Sequence, residues 1–456
     1  MESVGNLKKF ERTGILVVLL ISSFITAMST TVTGNMIPNL MVYFNVSSSA
    51  AQWLTSGATL LSGIIIPITA FLIKKVPNKN YYLLAMFAFT LGSLGAFTAG
   101  NFVILLVSRM VQALGCGMML SFAQVIILTI YPKEQHGTMM AAYSMAASVS
   151  SMVGPTYAGL LMDYVGWRGV FVSLFIVGAV LLVLGFIFMR NVTPKQGAYV
   201  NSLYVAVSSA GFATLIIGLN NMKNGALHLT SGGIMLIGII LIVIFAVMQL
   251  KSDKPMLNLK VFKSSSFTLG VLITICLYLI SMGNAVILPI LAKIECGFSD
   301  TAYGLSTLVG AGISVFATLF AGKIYDKVGI KPMTIVTIIG FAMSSICGYM
   351  STSSSSIVWI GLIYAMQTIA MSTLISPVTT MALSNLNQQL RVDGSSIFNT
   401  LRQISSSIAT TVAVLLLTLF GDDLAAIHSV YVYFGVVTAV IIFLVVFFIW
   451  RKKPAN

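Results

Sequence analysis

Ionisable side chains that could carry a proton or hold a metal are scarce in the apolar part of this sequence. The acidic residues are Glu2, Glu11, Glu134, Asp163, Asp253, Glu295, Asp300, Asp326, Asp393, Asp422 and Asp423. None of them falls near the middle of a long apolar stretch, where burial would shift its pKa towards the working pH. The chain also has no metal-ligand spacing, no nucleophile–base pair, no phosphate-binding glycine loop and no ATP-binding motif. We therefore expect neither an enzyme nor an ATP-driven pump, and no metal or cofactor.

The first long apolar stretch contains an uncharged polar stripe, AMSTTVTGNMIP, over residues 27–38. A helix that crosses lipid has little reason to carry such groups unless they face something other than lipid. We expect the stripe to line a substrate path, with hydrogen bonding between helices as the alternative. The residues assigned to this path, from the stripe and from later apolar stretches, are Ser29, Thr31, Asn35, Asn39, Gln124, Asn284 and Gln367.

The composition places the chain in a membrane. Only 8% of its 456 residues are charged and 57% are hydrophobic, whereas a soluble domain carries about 25% charged residues. The net charge of +14 is attributed to membrane topology, and no nucleic-acid partner is expected. The four cysteines have no paired spacing, which argues against a disulfide framework.

Apolar stretches long enough to cross a membrane, about 20 residues each, recur fourteen times along the chain. They are predicted near 14–36, 51–73, 81–99, 102–131, 138–162, 169–189, 199–219, 231–250, 266–291, 303–322, 332–350, 356–384, 394–419 and 428–450.

The distribution of basic residues supports this count. With the N-terminus in the cytoplasm and sides alternating, 20 of the 25 basic residues fall on the cytoplasmic side, three outside and two within helices. Cytoplasmic loops carry this excess of Lys and Arg in membrane proteins. The sequence therefore predicts fourteen spanning helices with both termini in the cytoplasm.

Two loop segments show an internal repeat. AFLIKKVPNK at 70–79 aligns without gaps with GKIYDKVGIK at 322–331, and each follows the second helix of a group of six. A parallel duplication is typical of transporters that bind substrate between their halves. The predicted domains are a six-helix bundle over 1–190, a two-helix insert with its linkers over 191–265, and a second six-helix bundle over 266–456.

Motifs spread along the chain resemble the major facilitator superfamily, and within it the fourteen-helix drug:proton antiporters. The matching residues and segments are Gly322, Asp326, Lys327, Gly329 and Lys331 in the second loop copy; Arg109, Gln112, Gly115 and Gly117; Gly154, Pro155 and Gly159; GWRGVF at 166–171; and KPMLNLKVF at 254–262 with FNTLRQISSSIA at 398–409. The resemblance covers essentially the whole chain. It implies an all-α integral membrane protein with the major facilitator fold, two six-helix pseudo-repeats plus two inserted helices.

The resemblance also suggests roles for the motif residues. Gly322, Asp326, Lys327 and Gly329 would latch helices in one state of the transport cycle, or would form a solvated turn that fixes topology. Gly154, Pro155 and Gly159 would make the fifth helix a bent, closely packed pivot, although proline kinks are common in membrane helices. Arg402, within the last motif, is interpreted mainly as bracing the helix packing. In the first loop copy Lys74 replaces the acidic residue of the motif.

The resemblance implies proton coupling, but Ser29 stands where the family carries an Asp in the first helix, so a coupling acid would have to lie elsewhere. Arg109 lies about 10 Å inside the fourth helix, and a charge there usually faces the bundle interior. We expect Arg109 and Asp163 to exchange a proton-dependent pairing. The alternatives are an Arg109 that braces neighbouring carbonyls and a weak surface ion pair between Asp163 and Arg168.

The sequence thus predicts a monomeric, multi-pass protein of the cytoplasmic membrane that exports amphipathic small molecules by alternating access, in contact with lipid and coupled to protons. A competing interpretation is an exporter or facilitator of a neutral or anionic metabolite or lipid without proton antiport. A membrane enzyme, or a sensor that kept the fold and lost transport, is less compatible with the motifs.

Overall fold

Helices make up the described part of the chain, which in this computed structural model comprises residues 9–46, 48–193, 202–222, 229–252, 255–298, 300–420 and 424–450. The α-helices are α1 (Lys9–Phe44), α2 (Ser48–Lys75), α3 (Asn78–Phe97), α4 (Phe102–Ile130), α5 (His136–Val165), α6 (Trp167–Phe188), α7 (Ser202–Met222), α8 (Leu229–Lys251), α9 (Ser265–Ile290), α10 (Asp300–Val328), α11 (Lys331–Tyr349), α12 (Ile357–Ser384), α13 (Gln388–Phe420) and α14 (Leu424–Leu444). Short 3₁₀ turns cover Lys133–Gln135 and Leu259–Lys263, and π-helical turns cover Leu291–Glu295 and Val445–Trp450.

Polar caps and glycines set several of the helix ends. Asn101 accepts a hydrogen bond from the amide of Ile104 (2.9 Å) at the start of α4, which satisfies one donor that the first helical turn leaves free. Gly166 and Gly329 have positive φ angles of 77° and 83°. These values favour glycine, and they allow the tight turns from α5 to α6 and from α10 to α11.

Twelve helices within the described residues are long and apolar enough to cross a membrane. In α7 the apolar segment Leu203–Leu219 is shorter. The remaining helix, α5, is not among the twelve because serine, threonine and glycine dilute its apolar content. These small residues suit its position, because α5 packs between α1 and α10. The prediction of fourteen spanning helices therefore stays a prediction, whereas the all-helical architecture is confirmed.

The helices form two groups with the same packing pattern. In the first helix group, α1–α6, the close pairs are α1 with α5, α2 with α4, and α3 with α4 and α6. The last helix group, α9–α14, repeats them as α9 with α13, α10 with α12, and α11 with α12 and α14. One large apolar core lies within the last group. The other fills the first group and continues into α9, α12 and α13 through residues such as Phe267, Leu383 and Phe398. The pair α7–α8 lies to one side, where α7 contacts α2 and α13.

The two groups meet through α5 against α10 and α2 against α13, which are equivalent pairs in the repeat. The approach of α5 to α10 is close because glycines face each other there. A Cβ atom on Gly322 would lie 2.6 Å from the carbonyl oxygen of Gly137 and 2.2 Å from the Cβ of Ala141. We call the end of the bundle where α2, α4, α10 and α12 finish the basic end, because Lys74, Lys75 and Lys327 lie in last turns there.

Candidate functional site

A cavity between the two helix groups consists of two adjoining lobes of about 370 and 350 Å³. The α1 lobe is lined by α1, α2, α4 and α5, and the α12 lobe lies between α5 and the helices α9, α10 and α12. The lobes share the lining residues Leu120, Tyr143, Ala147, Tyr278 and Arg402. Because helices of both groups contribute to its wall, this central cavity is a candidate site for a ligand that passes between the groups.

The α1 lobe has a polar but uncharged wall from the stripe of α1. Thr30 lines the lobe, and its hydroxyl donates to the carbonyl of Ala27 (2.7 Å). Thr26 also lines it and donates to the carbonyl of Ser22 (2.8 Å). Hydroxyls bonded in this way offer their lone pairs to a ligand. Of the stripe, therefore, the face with Ala27 and Thr30 reaches the cavity.

The stripe residues that the sequence assigned to the path point elsewhere or lie outside the described side chains. Ser29 is fully buried, donates to the carbonyl of Thr26 (2.9 Å) and lies 3.5 Å from the Sγ of Cys116 on α4. Thr31 packs against α5, where a Cβ on Gly154 would lie 2.3 Å from its Oγ1. Asn39 is exposed near the end of α1, and the side chain of Asn35 is not among those described.

Gly154 lets α1 and α5 approach closely, because any side chain there would collide with Thr31. This contact agrees with close packing of the fifth helix. The backbone of α5 is helical through Pro155 and Gly159, but the surroundings of these two residues lie outside the described part of the structure. Their assignment to a pivot stays a prediction.

Asn284 and Gln367 form a buried network between α9, α12 and α14. The Nδ2 of Asn284 donates to the Oε1 of Gln367, and the hydroxyl of Tyr431 donates to the Oδ1 of Asn284 (3.0 Å). Gln367 in turn donates to the carbonyl of Ser281 (3.3 Å). These bonds join three helices, and neither residue lines the central cavity.

Arg109 is buried, with 2% of its surface exposed. One of its terminal nitrogens donates to the Oε1 of Gln112, whose Nε2 donates to Ser93 on α3 (2.7 Å). Its Nε has no hydrogen-bond partner among the described residues. The side chain of Asp163 lies outside the described part of the structure, so its pairing with Arg109 stays a prediction. Arg168 donates to the hydroxyl of Tyr43 (2.9 Å) and to the carbonyl of Ala99 (3.0 Å).

Arg402 lines both lobes of the cavity. It lies about 21 Å from the start of α13 at 1.5 Å per residue, close to the middle of that helix. Its guanidinium carbon is 5.8 Å from the centre of the Tyr278 ring. The sequence-predicted helix began at residue 394 and placed Arg402 nearer the basic end, whereas α13 begins at Gln388.

Asp326 joins the two helix groups at the basic end. Its carboxylate accepts hydrogen bonds from the backbone amides of Gly137 and Thr138, both at 2.7 Å, and from the hydroxyl of Thr138 (2.5 Å). These amides belong to the first turn of α5, where helix donors are free and a negative charge is favoured. We call this set the Asp326 contact. Lys327, beside it, is exposed.

Lys74 makes the equivalent connection on the other side of the bundle. Its Nζ lies 2.6 Å from both carboxylate oxygens of Asp393 on α13, and the two side chains are 9% and 1% exposed. We call this buried ion pair the Lys74 contact. Because Lys74 is the repeat counterpart of Asp326, the same position holds the opposite charge in the two halves of the molecule.

Further bonds close the basic end between α4 and α13. Gln124 accepts hydrogen bonds from Ser395 (2.8 Å) and Asn399 (2.9 Å). Arg391 donates to the carbonyl of Leu128 (2.7 Å). Gln124, which the sequence assigned to the substrate path, thus takes part in the contact between the groups.

Asp393 is the residue that the sequence reasoning passed over. The predicted helix excluded it by one residue, whereas α13 extends past it to Gln388 and buries it. A signal was present in the sequence: Asp393–Gly394–Ser395 resembles His136–Gly137–Thr138, the segment of α5 that Asp326 contacts.

A larger cavity of about 620 Å³ lies where α9 begins, between Phe262, Leu272, Met381 and Phe448. Phe262, Leu272 and Phe448 are exposed on the outer surface of the bundle, where lipid would cover them. This cavity is therefore separate from the route between the helix groups.

Comparisons with known proteins agree with this architecture. A family profile described as Major Facilitator Superfamily matches residues 19–410. The uncharacterized MFS-type transporter YhcA of Bacillus subtilis (strain 168) is 33% identical over 398 residues, which cover 87% of this chain and 75% of that protein. The lincomycin resistance protein LmrB of the same organism is 28% identical over 410 residues, 88% of this chain and 84% of that protein. The solved structure of the human organic anion transporter MFSD10 superposes with a TM-score of 0.69 at 14% identity, covering 95% of this chain and 99% of that one; at this identity the likeness shows the fold alone.

Proposed function

Because the chain belongs to the major facilitator superfamily, we propose that it is a secondary transporter that exports amphipathic compounds by alternating access. It is a multi-pass protein of the cell membrane. The observation that carries the proposal is the central cavity, which has walls from both helix groups and is shut off at the basic end by the Asp326 and Lys74 contacts. This arrangement is one state of a cycle in which the groups rock about a shared site.

We assign the basic end to the cytoplasm, since Lys and Arg accumulate in cytoplasmic loops. In this assignment all fourteen helices span the membrane, both termini are cytoplasmic, and the described state is closed towards the cytoplasm. The moving units are residues 1–190 and 266–456, and the insert within 191–265 packs on their side.

An amphipathic cargo suits the lining of the cavity. Methionines such as Met119, Met282 and Met371 lie beside aromatic rings and hydroxyls, and flexible thioether side chains adapt to varied apolar shapes. The name of the relative LmrB refers to lincomycin resistance, which supports export of compounds of this kind.

We propose protons as the driving force, with Asp393 as the coupling acid besides the predicted pair of Arg109 and Asp163. Asp393 is buried at the contact between the moving units, and Lys74 is the charged side chain that faces it. Protonation of the carboxylate removes the charge that holds Lys74, so that a proton taken up there favours opening of the basic end.

Export and alternating access are tested together in proteoliposomes. A panel of fluorescent amphipathic dyes is followed under an imposed pH gradient, before and after nigericin. A variant with cysteines at Glu134 and Lys323, two exposed residues flanking the Asp326 contact, is cross-linked with a reducible bifunctional reagent. We expect dye movement to stop on cross-linking and to return on reduction. Movement that is indifferent to the cross-link would contradict alternating access.

Coupling is tested by removing the ion pair as a unit. The double variant Lys74→Met/Asp393→Leu closes the basic end without charge, and we expect it to carry dye down a dye gradient but not against one when a pH gradient is imposed. The single variant Asp163→Asn is measured in the same dye-transport assay. Pumping that survives the double variant and stops in Asp163→Asn would assign coupling to Asp163 instead.

A further inference from the structure

We propose that Arg402 is the binding residue for the charged head of the cargo, and that the preferred cargo is an amphipathic organic anion bearing a carboxylate, sulfonate or phosphate group. This inference rests on the proposed transport function and specifies its substrate class.

The position of Arg402 is the first argument. It lies near the middle of α13 and contributes to the wall of both lobes, so that a ligand in either lobe can reach its guanidinium group. The side chain is half-buried. A cation at this depth in a membrane protein usually faces a cavity or a partner.

The second argument is the missing counter-charge. Arg402 is the charged residue in the described lining of the central cavity, and no carboxylate lines either lobe. Among the described residues Arg402 forms no hydrogen bond and no ion pair, and the group that it faces is the neutral ring of Tyr278. By contrast, buried Lys74 forms an ion pair with Asp393, and Arg391 donates hydrogen bonds to three backbone carbonyls.

The third argument is the chemistry of the surroundings. A guanidinium group presents a planar set of donors that fits two oxygens of a carboxylate, sulfonate or phosphate. Tyr143 and Tyr278 flank it on the shared wall, while Met152, Met371 and Ile375 offer apolar surface in the α12 lobe. An anionic head with an apolar body therefore satisfies both parts of the wall, whereas a cation would face Arg402 without a compensating acid.

The lack of an acid at position 29 of α1 agrees with this assignment. Ser29 occupies the place of the carboxylate expected from the family resemblance, and it is buried behind the wall against Cys116. The potential in the cavity is therefore set by Arg402 and by neutral hydroxyls such as those of Thr26 and Thr30.

Binding of three matched probes tests the assignment. Pyrenebutyrate, pyrenebutanol and a pyrenebutyl trimethylammonium salt share the apolar body and differ in the head group. They are titrated into the purified full-length protein in nanodiscs of neutral lipid. We expect the anion to bind about tenfold or more tightly than the alcohol, the scale of a charge-assisted hydrogen bond, and the ammonium compound to bind least.

Substitutions separate charge recognition from packing. Arg402→Gln is expected to weaken anion binding by about 10–100-fold with little change for the alcohol, and Arg402→Lys should restore part of the preference. Lys260→Gln, which removes an exposed positive charge outside the central cavity, is the matched control and should keep the preference for the anion. Equal weakening of all three probes in Arg402→Gln, or a native preference for the ammonium probe, would overturn the proposal.

Transport of the same probes distinguishes failure of this inference from failure of the proposed function. Cross-link-sensitive movement of the alcohol without any preference for the anion would leave export standing and refute the role of Arg402. Arg402-dependent anion binding without movement of any probe would support the anion site and refute transport.

Discussion

The two contacts that close the basic end occupy equivalent places but use opposite chemistry. In the Asp326 contact a carboxylate on α10 reaches the free amides of α5 in the other helix group. In the Lys74 contact the carboxylate is supplied by α13 itself, and α2 supplies the cation. Both contacts place a carboxylate within the first two turns of the fifth helix of a group. At α5 the free amides and the helix dipole favour the charge, whereas at α13 Lys74 offsets it. The helix that supplies the carboxylate therefore differs between the two contacts.

The contacts also differ in exposure, and therefore in what their loss does. Asp326 is partly exposed, so water can replace part of its hydrogen bonding. Asp393 is almost wholly buried, and a carboxylate left there without Lys74 cannot be solvated. We expect the Lys74 contact to respond more strongly to substitution of one partner and to tolerate better the replacement of both.

The largest effect is expected for Lys74→Met. Removal of one partner of a buried ion pair costs about 3–5 kcal/mol, here in the state that is closed at the basic end. The population of that state is measured by double electron–electron resonance with spin labels at Glu134 and Lys323. The double variant Lys74→Met/Asp393→Leu should restore most of the closed population, and its failure to do so would show that the charge pair, rather than the relief of a buried charge, holds this side.

A smaller but clear effect is expected for Asp326→Ala. The substitution leaves two amides of α5 without their acceptor, and a hydrogen bond to a charged group contributes about 1.5–3 kcal/mol. The same spin-label distance should broaden towards open values. The control is Lys327→Ala, which changes the next residue at an exposed position. It should change the free-energy difference between the closed and open states by no more than about 0.5 kcal/mol. Equal effects of Asp326→Ala and Lys327→Ala would mean that the loss of any charge at this turn opens the basic end, and that the hydrogen bonds of Asp326 have no special role.

The next comparison concerns the first residue of each loop copy. Gly322→Ala introduces a Cβ that would lie 2.2 Å from that of Ala141, so α5 and α10 must separate, at a cost of about 1–3 kcal/mol. Its counterpart Ala70 already carries a methyl group and is fully buried. Ala70→Gly should therefore weaken packing only slightly, and the two variants are compared through the same distance distribution. A harmless Gly322→Ala would show that the α5–α10 approach is not needed for closure.

The smallest effect is expected for the ion pair of Arg190 and Glu11, which are 3.5 Å apart and about one third exposed. Exposed pairs contribute about 0–1 kcal/mol. Glu11 lies on α1 and Arg190 just after α6, so the pair does not join the two helix groups. Glu11→Gln should leave the closed population unchanged and should shift thermal unfolding little, as measured by intrinsic fluorescence. A change in the closed population would mean that contacts within one group also select the state.

The helices were predictable because the known thickness of a membrane's apolar layer fixes the length of an apolar stretch that can cross it. Their ends were less predictable, because polar turns continue α1 and α13 beyond the apolar stretches. That error mattered at α13, where residues 388–393 extend the helix and bury Asp393. A residue that a hydropathy pattern places in a loop can thus become part of a buried contact.

The residues of the central cavity were only partly predictable. The sequence shows the polar stripe of α1, but it does not tell which face of the stripe turns to the cavity. Ser29 and Thr30 are neighbours in the sequence, yet Ser29 is fully buried and Thr30 lines the cavity. Arg402 was recognised as a charge within a helix and assigned to bracing. That Arg402 forms no hydrogen bond or ion pair with the residues described depends on the three-dimensional surroundings of the side chain, which one sequence does not reveal.

The low apolar content of α5 has a consequence for how the protein is made. This helix packs between α1 and α10, but during synthesis α1 is already in place while α10 is still about 140 residues away along the chain. Until α10 arrives, the face that carries Gly137 and Ala141 has no helix to cover it. Assembly of the membrane bundle is therefore ordered: the first helix group can be completed only when the last one docks, and a chain truncated before α10 should be recognised by membrane proteases as unfinished.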